Sequence, residues 1–161
     1  MTETVSTGTT GSTQKGAGLT MERVFSTEGT HPYDAIHWER RDVVQTNWKT
    51  GETVFEQRGV EFPDFWSVNA STIVTTKYFR GAVGTDVREW SLKQLIDRVV
   101  KTYTKAGADH GYFKAAGDAE IFEHELTWLL VNQYFSFNSP VWFNVGTPSP
   151  QQVSALSLIH I

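Results

Sequence analysis

Cysteine is missing from this chain of 161 residues. Without a thiol, the chain by itself can form no disulfide, no thiolate metal site and no thiol nucleophile. Long apolar runs are missing as well, since none approaches the roughly 18 residues that a membrane-spanning helix needs. The N-terminus also lacks the apolar core of a secretory signal. These absences predict a cytoplasmic protein with no membrane association.

Positive charge is scarce, because 14 Lys and Arg residues face 18 Asp and Glu residues, for a net charge of −4. Non-specific nucleic-acid binding needs a basic face, so no nucleic-acid partner is expected. Aromatic residues are plentiful by contrast, with six Trp, five Tyr and ten Phe. They favour a packed globular body, and the length suits one domain.

The composition divides the chain into segments. Residues 1–20 are rich in Thr, Gly and Ser and are predicted to be a disordered tail. Residues 21–60 are predicted to be an extended polar segment that lies against a larger body. Residues 61–137 are predicted to form a helical domain. Residues 138–155 and residues 156–161 are two further predicted segments.

Helical periodicity dominates the predicted helical domain. Ser91 and Gln94 predict a capping box, and the residues after Ser91 have the i, i+3, i+4, i+7 spacing of one buried face. Asp118 is predicted to cap a second helix that runs to about Tyr134. Another helix is predicted from Pro63 to about residue 79, although the β-branched run 71–76 suits a strand equally well. Residues 141–145 are predicted to form a short buried strand.

Two polar clusters invite a metal-site interpretation, and neither meets its requirements. The first holds His31, Asp34, His37 and Glu39, which follow no ligand spacing rule. The second holds Glu120, Glu123, His124 and Glu125, but a di-iron site needs Glu three residues before His and a second copy on another helix. Position 121 is Ile. Solvated surfaces are the better interpretation, and no metal site is predicted.

The run Lys77-Tyr78-Phe79-Arg80-Gly81 mixes basic and aromatic residues, as single-strand nucleic-acid platforms do. One such pentapeptide in an acidic chain is a weak signal. Core aromatic residues with flanking surface charge explain it better. A contact from Lys77 or Arg80 to a nucleotide phosphate stays open.

The most informative segment reads FNSPVWFNVGTPSPQQVSA and spans residues 137–155. Ser139 offers a hydroxyl on a backbone made rigid by Pro140. The N–H groups near Ser154 and Ala155 can point at an anion as helix-terminal or nest amides do. On composition alone, an Asn/Ser-Pro turn before a core strand is the better interpretation.

The order and spacing of several blocks change that interpretation. They are VEFP at 60–63, FWS at 65–67, KYFRG at 77–81, RE at 88–89, GYF at 111–113 and FNSPVWFNVG at 137–146. Together they resemble the adenosylcobalamin-dependent (class II) ribonucleotide reductases over residues 31 to 155. The resemblance implies a mainly α fold, the N-terminal helical region of a reductase. Residues 138–155 would then be the first strand of a truncated ten-stranded α/β barrel.

The resemblance also implies a chemistry for the full-length protein. The family removes the 2′-hydroxyl of a ribonucleotide by thiyl radical chemistry that starts with homolysis of the cobalt–carbon bond in adenosylcobalamin. It implies substrate-binding roles for Ser139, near the diphosphate, and for Ser154 and Ala155. A ribonucleotide substrate and a thiol reductant are the expected partners. The form of the substrate, diphosphate or triphosphate, and a homodimer stay open.

The chain departs from the family pattern at one residue. Where the family continues from Ser-Ala to Cys-Phe, this chain has Leu156 and an aberrant tail at 156–161. The expected catalytic cysteine is replaced, so no catalytic residue is predicted, and a truncated or misread gene end is the expectation. The chain is predicted to be a fragment of a ribonucleoside-diphosphate reductase that is inactive in isolation. The alternative is a non-catalytic helical module that binds nucleotide or protein.

Overall fold

The computed structural model describes residues 18–148. A β-hairpin comes first, made of β1 (Trp38–Thr46) and β2 (Thr53–Pro63). A short helix α1 (Val68–Ile73) follows and continues directly into a π-helical turn (Val74–Tyr78). Two long helices, α2 (Leu92–Asp109) and α3 (Ala116–Val131), pack against each other, and α4 (Ser139–Asn144) closes the described part of the chain.

The predicted mainly α fold with a first barrel strand is wrong. Helices hold 39% and strands 18% of the described residues, and the strands form a two-stranded antiparallel sheet. No barrel is evident in residues 18–148. Residues 141–145, predicted to be a strand, lie in α4 and at its C-cap. The division of the chain into segments stays a prediction.

The hairpin escaped prediction because its first strand buries so little. Within β1 only Val43 is buried, so the alternation of apolar and polar residues that marks a strand is lost. β2 buries Gln57, Val60, Phe62 and Pro63 and supplies the apolar face. Opposite charges face each other across the strands, with 3.9 Å between Arg40 Nη2 and Glu61 Oε2. The fold of β1 therefore depends on pairing with β2 rather than on its own pattern.

Helix α4 shows why a short apolar run is ambiguous. Residues 141–145 hold four apolar or aromatic side chains, and so short a run is typical of a buried strand and equally of one buried face of a helix. Pro140 lies in the first turn, where its missing N–H costs no hydrogen bond, and Asn138 is the N-cap. The Val145 N–H donates to the Val141 carbonyl at 3.0 Å. These features start the helix at Ser139 and end it at Asn144.

Helix α2 matches its prediction closely. Ser91 Oγ accepts from the Lys93 N–H at 3.2 Å, and Gln94 Oε1 accepts from the Ser91 N–H at 3.1 Å. The predicted capping box is therefore confirmed. The buried face of α2 meets β2, α3 and α4 in one core. Its buried residues are Leu92, Leu95, Ile96, Val99, Val100 and Gly107.

Helix α3 begins two residues before its predicted cap. Ala115 is the N-cap, and Asp118 acts from inside the first turn by accepting from the Ala115 N–H at 2.8 Å. The same carboxylate accepts from the Met21 N–H at 2.8 Å. Farther along α3, Glu125 accepts from the N–H groups of Phe25 and Ser26. The N-terminal segment is thus attached along α3 by two buried carboxylates.

Among the described residues no helix has both the length and the hydropathy to cross a membrane.

Candidate functional site

Ser139 opens helix α4 and is exposed. Its Oγ lies 3.0 Å from the Tyr78 hydroxyl, which is hydrogen-bonding distance. Tyr78 is the last residue of the π-helical turn, and its ring lies 5.2 Å from that of Phe143. The side chain of Tyr78 therefore runs beside α4 and touches the predicted substrate-binding serine.

The π-helical turn is an uncommon element that recurs at functional sites. Five residues adopt it here, and the Phe79 N–H bonds the Val74 carbonyl at 3.1 Å across five positions. The wider turn precedes Arg80 directly. The Tyr78 hydroxyl consequently reaches the first residue of α4, and the Arg80 guanidinium reaches a carbonyl at its other end.

Two guanidinium groups hold the C-terminal end of α4, and we call Arg80, Arg98 and Glu89 the arginine clamp. Arg98 donates to the carbonyls of Val145 at 2.7 Å and Trp142 at 3.1 Å. Arg80 donates to the carbonyl of Phe143. The last carbonyls of a helix have no partner within it, and cations there also favour the helix dipole. The clamp satisfies these carbonyls with charged donors.

Glu89 connects the two arginines electrostatically. Its carboxylate accepts from Arg98 Nε at 2.7 Å and from the Arg80 backbone N–H at 2.8 Å. Burial lowers the pKa of Arg80, the charge of Arg98 lowers it further, and Glu89 opposes both effects. Because an arginine starts far above neutrality, Arg80 stays charged at pH 7. The clamp therefore contains two cations for one carboxylate.

Arg88 fixes the neighbouring turn. It donates to the carbonyls of Thr75 and Phe79, both at 2.6 Å, and to Gln57 Oε1 at 2.9 Å. Burial is the main cause that lowers its pKa. Arg88 thereby joins the hairpin to the π-helical turn.

Two cavities adjoin these elements. A cleft of about 280 Å³ lies beside the clamp, lined by Arg80, Gly81, Phe143, Asn144, Thr147 and Pro148. A larger, apolar cavity of about 450 Å³ is bordered by aromatic side chains that include Trp66, Tyr78 and Trp142. The larger one is within the size range of small-molecule sites. No group of three or more His, Asp or Glu in residues 18–148 could hold a metal ion.

The structure describes only one of the three predicted substrate-binding residues. Ser139 is in place as given above, whereas Ser154, Ala155 and the departure at Leu156 lie outside the described residues. Lys77 is exposed on the π-helical turn. The Arg80 guanidinium donates to the Phe143 carbonyl in α4. The sequence did not predict a role for Arg98, because this residue lies in the middle of α2 and in none of the matching blocks. Glu89 lies in one block, but no role was predicted for it.

Comparison with known proteins identifies the family. A family profile described as class II vitamin B12-dependent ribonucleotide reductase matches residues 40–133. The chain is 66% identical to a vitamin B12-dependent ribonucleotide reductase of Streptomyces clavuligerus, with all of this chain and 17% of that protein aligned. A reductase of Streptomyces coelicolor is 68% identical, with 92% of this chain and 15% of that protein aligned. One from Rhodopirellula baltica is 42% identical over 81% of this chain and 13% of its own length.

The chain belongs to the class II vitamin B12-dependent ribonucleotide reductases, and it corresponds to the N-terminal part of these enzymes. It spans 17% of the length of the first of the relatives it matches. The resemblance inferred from the sequence blocks is thereby confirmed.

Proposed function

We propose that this chain supplies the N-terminal part of a ribonucleotide reductase and contributes Ser139 to the substrate site of the complete enzyme. One observation carries the proposal: the identity of 66% extends over the whole chain. The reaction would convert a ribonucleotide to a deoxyribonucleotide in the cytoplasm with a thiol as reductant. The proposal leaves open a homodimer of the complete enzyme.

The role of Ser139 is a hydrogen bond to the substrate. Its hydroxyl is exposed and is held by the Tyr78 hydroxyl at 3.0 Å, so its position is defined before any ligand arrives. A hydroxyl can donate to a phosphate or ribose oxygen. Ser154 and Ala155 belong to the same proposal, since the resemblance to the family assigns them substrate-binding roles as well.

Adenosylcobalamin supplies the radical that starts the reaction in the full-length enzyme. No observation within residues 18–148 marks a site for this group, so we assign its binding to other parts of the complete protein. The chain's own contribution is limited to binding and orientation. We accordingly expect the chain alone to be inactive as a reductase.

A chimera tests the proposal. Residues 21–148 would replace the matching segment of the Streptomyces clavuligerus reductase, and ribonucleotide reduction would be measured with adenosylcobalamin and a dithiol. The parent enzyme is the control. We expect activity within about tenfold of the parent, because an intact scaffold preserves the transition-state contacts. A folded chimera without activity would contradict the proposal and favour a non-catalytic binding module.

A further inference from the structure

We propose that Arg98 is a positioning residue for Ser139 and acts through helix α4. This inference rests on the proposed function, because the substrate role of Ser139 comes from there. Arg98 donates to the Glu89 carboxylate and to the carbonyls of Trp142 and Val145, and its side chain is 11% exposed. It therefore acts on substrate through the helix that it holds.

A helix as short as α4 needs its neighbours. Six residues form little more than one turn and a half, and isolated helices of that length are not stable in water. Its orientation must come from side chains that grip it from outside. Those side chains are Tyr78 at the Ser139 end and the arginine clamp at the other.

Arg98 provides the firmest of these attachments. It projects from α2, an 18-residue helix whose buried face is part of the core. One guanidinium reaches two carbonyls at the end of α4 and the buried carboxylate of Glu89. A planar guanidinium makes such a set of bonds simultaneously, whereas a lysine ammonium is a single point charge. Arg98 thereby fixes the position of α4 relative to a helix of the core.

Gly146 shows how closely the chain after α4 lies on α2. A Cβ at this position would come within 2.3 Å of the Arg98 carbonyl oxygen and 2.8 Å of Thr102 Oγ1. The backbone also has φ +72°, a conformation that glycine adopts without strain. The chain that leaves α4 is therefore fixed at Gly146 against Arg98, the same residue of α2. A shift at Arg98 would move both Ser139 and the chain that continues toward Ser154.

Arg98→Lys is the test variant, since it keeps the charge beside Glu89 and loses the guanidinium fork. Arg41→Lys is a matched control. Arg41 is similarly buried, at 12% side-chain exposure, and also joins a carboxylate, Glu39, to backbone carbonyls, at Pro63 and Asp64. Those carbonyls lie beside α1 and not in α4. Arg80→Lys changes the second cation of the clamp and serves as a second test variant.

The first measurement is amide hydrogen exchange on the chain itself. In Arg98→Lys we expect the Val141 and Val145 amides to exchange about tenfold faster, the effect of losing one charge-assisted hydrogen bond. The amides of α3 should be unchanged. Arg41→Lys should leave the α4 amides as they are. Equal α4 exchange in the two variants would overturn the inference.

The second measurement uses the active chimera. We expect Arg98→Lys to raise the KM for ribonucleotide about tenfold with a smaller change in kcat, because it misplaces a binding group. In the double variant with Ser139→Ala, Arg98→Lys should add nothing to the effect of Ser139→Ala alone. Two residues that act through one contact are not additive.

The outcomes separate this inference from the proposed function. A folded but inactive chimera without further substitutions overturns both the proposed function and the positioning role of Arg98. An active chimera in which Ser139→Ala raises KM while Arg98→Lys behaves like Arg41→Lys overturns only the positioning role. Additive effects of Arg98→Lys and Ser139→Ala would also overturn it.

Discussion

Glu125 is a buried carboxylate whose hydrogen bonds outweigh the cost of its burial. Desolvation by itself would raise its pKa. The hydroxyl and N–H of Ser26 and the N–H of Phe25 donate to the carboxylate, and these bonds bring the pKa below its ordinary value of 4.5. The charged form of Glu125 therefore stabilises the attachment of the N-terminal segment to α3.

Glu125→Gln should lower the free energy of unfolding by about 1.5–3 kcal/mol at pH 7, the range for hydrogen bonds to a charged group. Urea unfolding measures it. Glu120→Gln is the control, because Glu120 is on the same helix, is 62% exposed and pairs with Arg23 at the surface. We expect its effect to stay below about 1 kcal/mol, as for other surface ion pairs.

The effect of Glu125→Gln should depend on pH. A folded-state pKa below the unfolded value gives a stabilisation that is complete above the unfolded pKa and is lost as pH falls through the folded pKa. The difference between wild type and Glu125→Gln should therefore be largest above pH 4.5 and shrink in stronger acid. A difference that grows on acidification would contradict this account of Glu125.

At the residue scale, sequence reasoning finds partners that are close in the chain. Ser91 and Gln94 are three residues apart, so the capping box was predictable. Arg98 contacts carbonyls 44 and 47 residues away, and backbone carbonyls carry no residue-specific signal. The serine at 139 could be proposed from the family blocks. Tyr78, Arg80 and Glu89 lie in the same blocks, but their contacts around α4 could not be predicted from them, and Arg98 lies in none.

Helix α2 depends on its N-terminal cap. Ser91 Oγ accepts from the Lys93 N–H and also donates to Glu61 at 2.7 Å, which joins the helix to β2. Ser91→Ala should cost about 1–2 kcal/mol, the upper part of the range for a lost cap. Thermal or urea unfolding measures it. Thr50→Ala in the exposed hairpin turn should stay within about 0.5 kcal/mol, and equal effects would argue against the role of Ser91.

The turn after the π-helical turn tolerates no side chain at Gly81. Gly81 and Gly84 share a φ of +84°, yet only a Cβ at Gly81 would meet protein, at 2.2 Å from the Val87 carbonyl oxygen. Gly81→Ala should therefore destabilise the protein by about 1–3 kcal/mol more than Gly84→Ala, since overpacking adds to the shared backbone strain. Urea unfolding compares the two. Equal losses would mean that residues 81 and 87 are farther apart than described.

At the element scale, length and periodicity decided what could be predicted. Helix α2 is long enough to show its buried apolar face in the sequence. Helix α3 buries Asp118, Glu125 and Thr127 beside Leu130 and Val131, so apolar spacing alone does not reveal its buried face. Helix α4 has six residues, and its apolar run suits a strand equally well. Strand β1 buries one side chain, so its structure follows from its partner rather than from its own pattern.

At the scale of the whole molecule, the family was easier to predict than the fold. Blocks such as KYFRG and FNSPVWFNVG report ancestry through their order, and the family comparison bears them out. The same blocks say little about secondary structure. Tertiary contacts make a hairpin of residues 38–63, most of which were predicted to be an extended polar segment, and a helix of residues 139–144, where a barrel strand was predicted.

The central claim is that Ser139 binds substrate in the complete enzyme. The most direct test measures the KM for ribonucleotide in the chimera with Ser139→Ala and with Ser139→Thr, which keeps the hydroxyl. We predict a KM about tenfold higher for Ser139→Ala, the order expected for one lost hydrogen bond to a charged ligand, and a KM near that of wild type for Ser139→Thr. A wild-type KM in Ser139→Ala would contradict the claim.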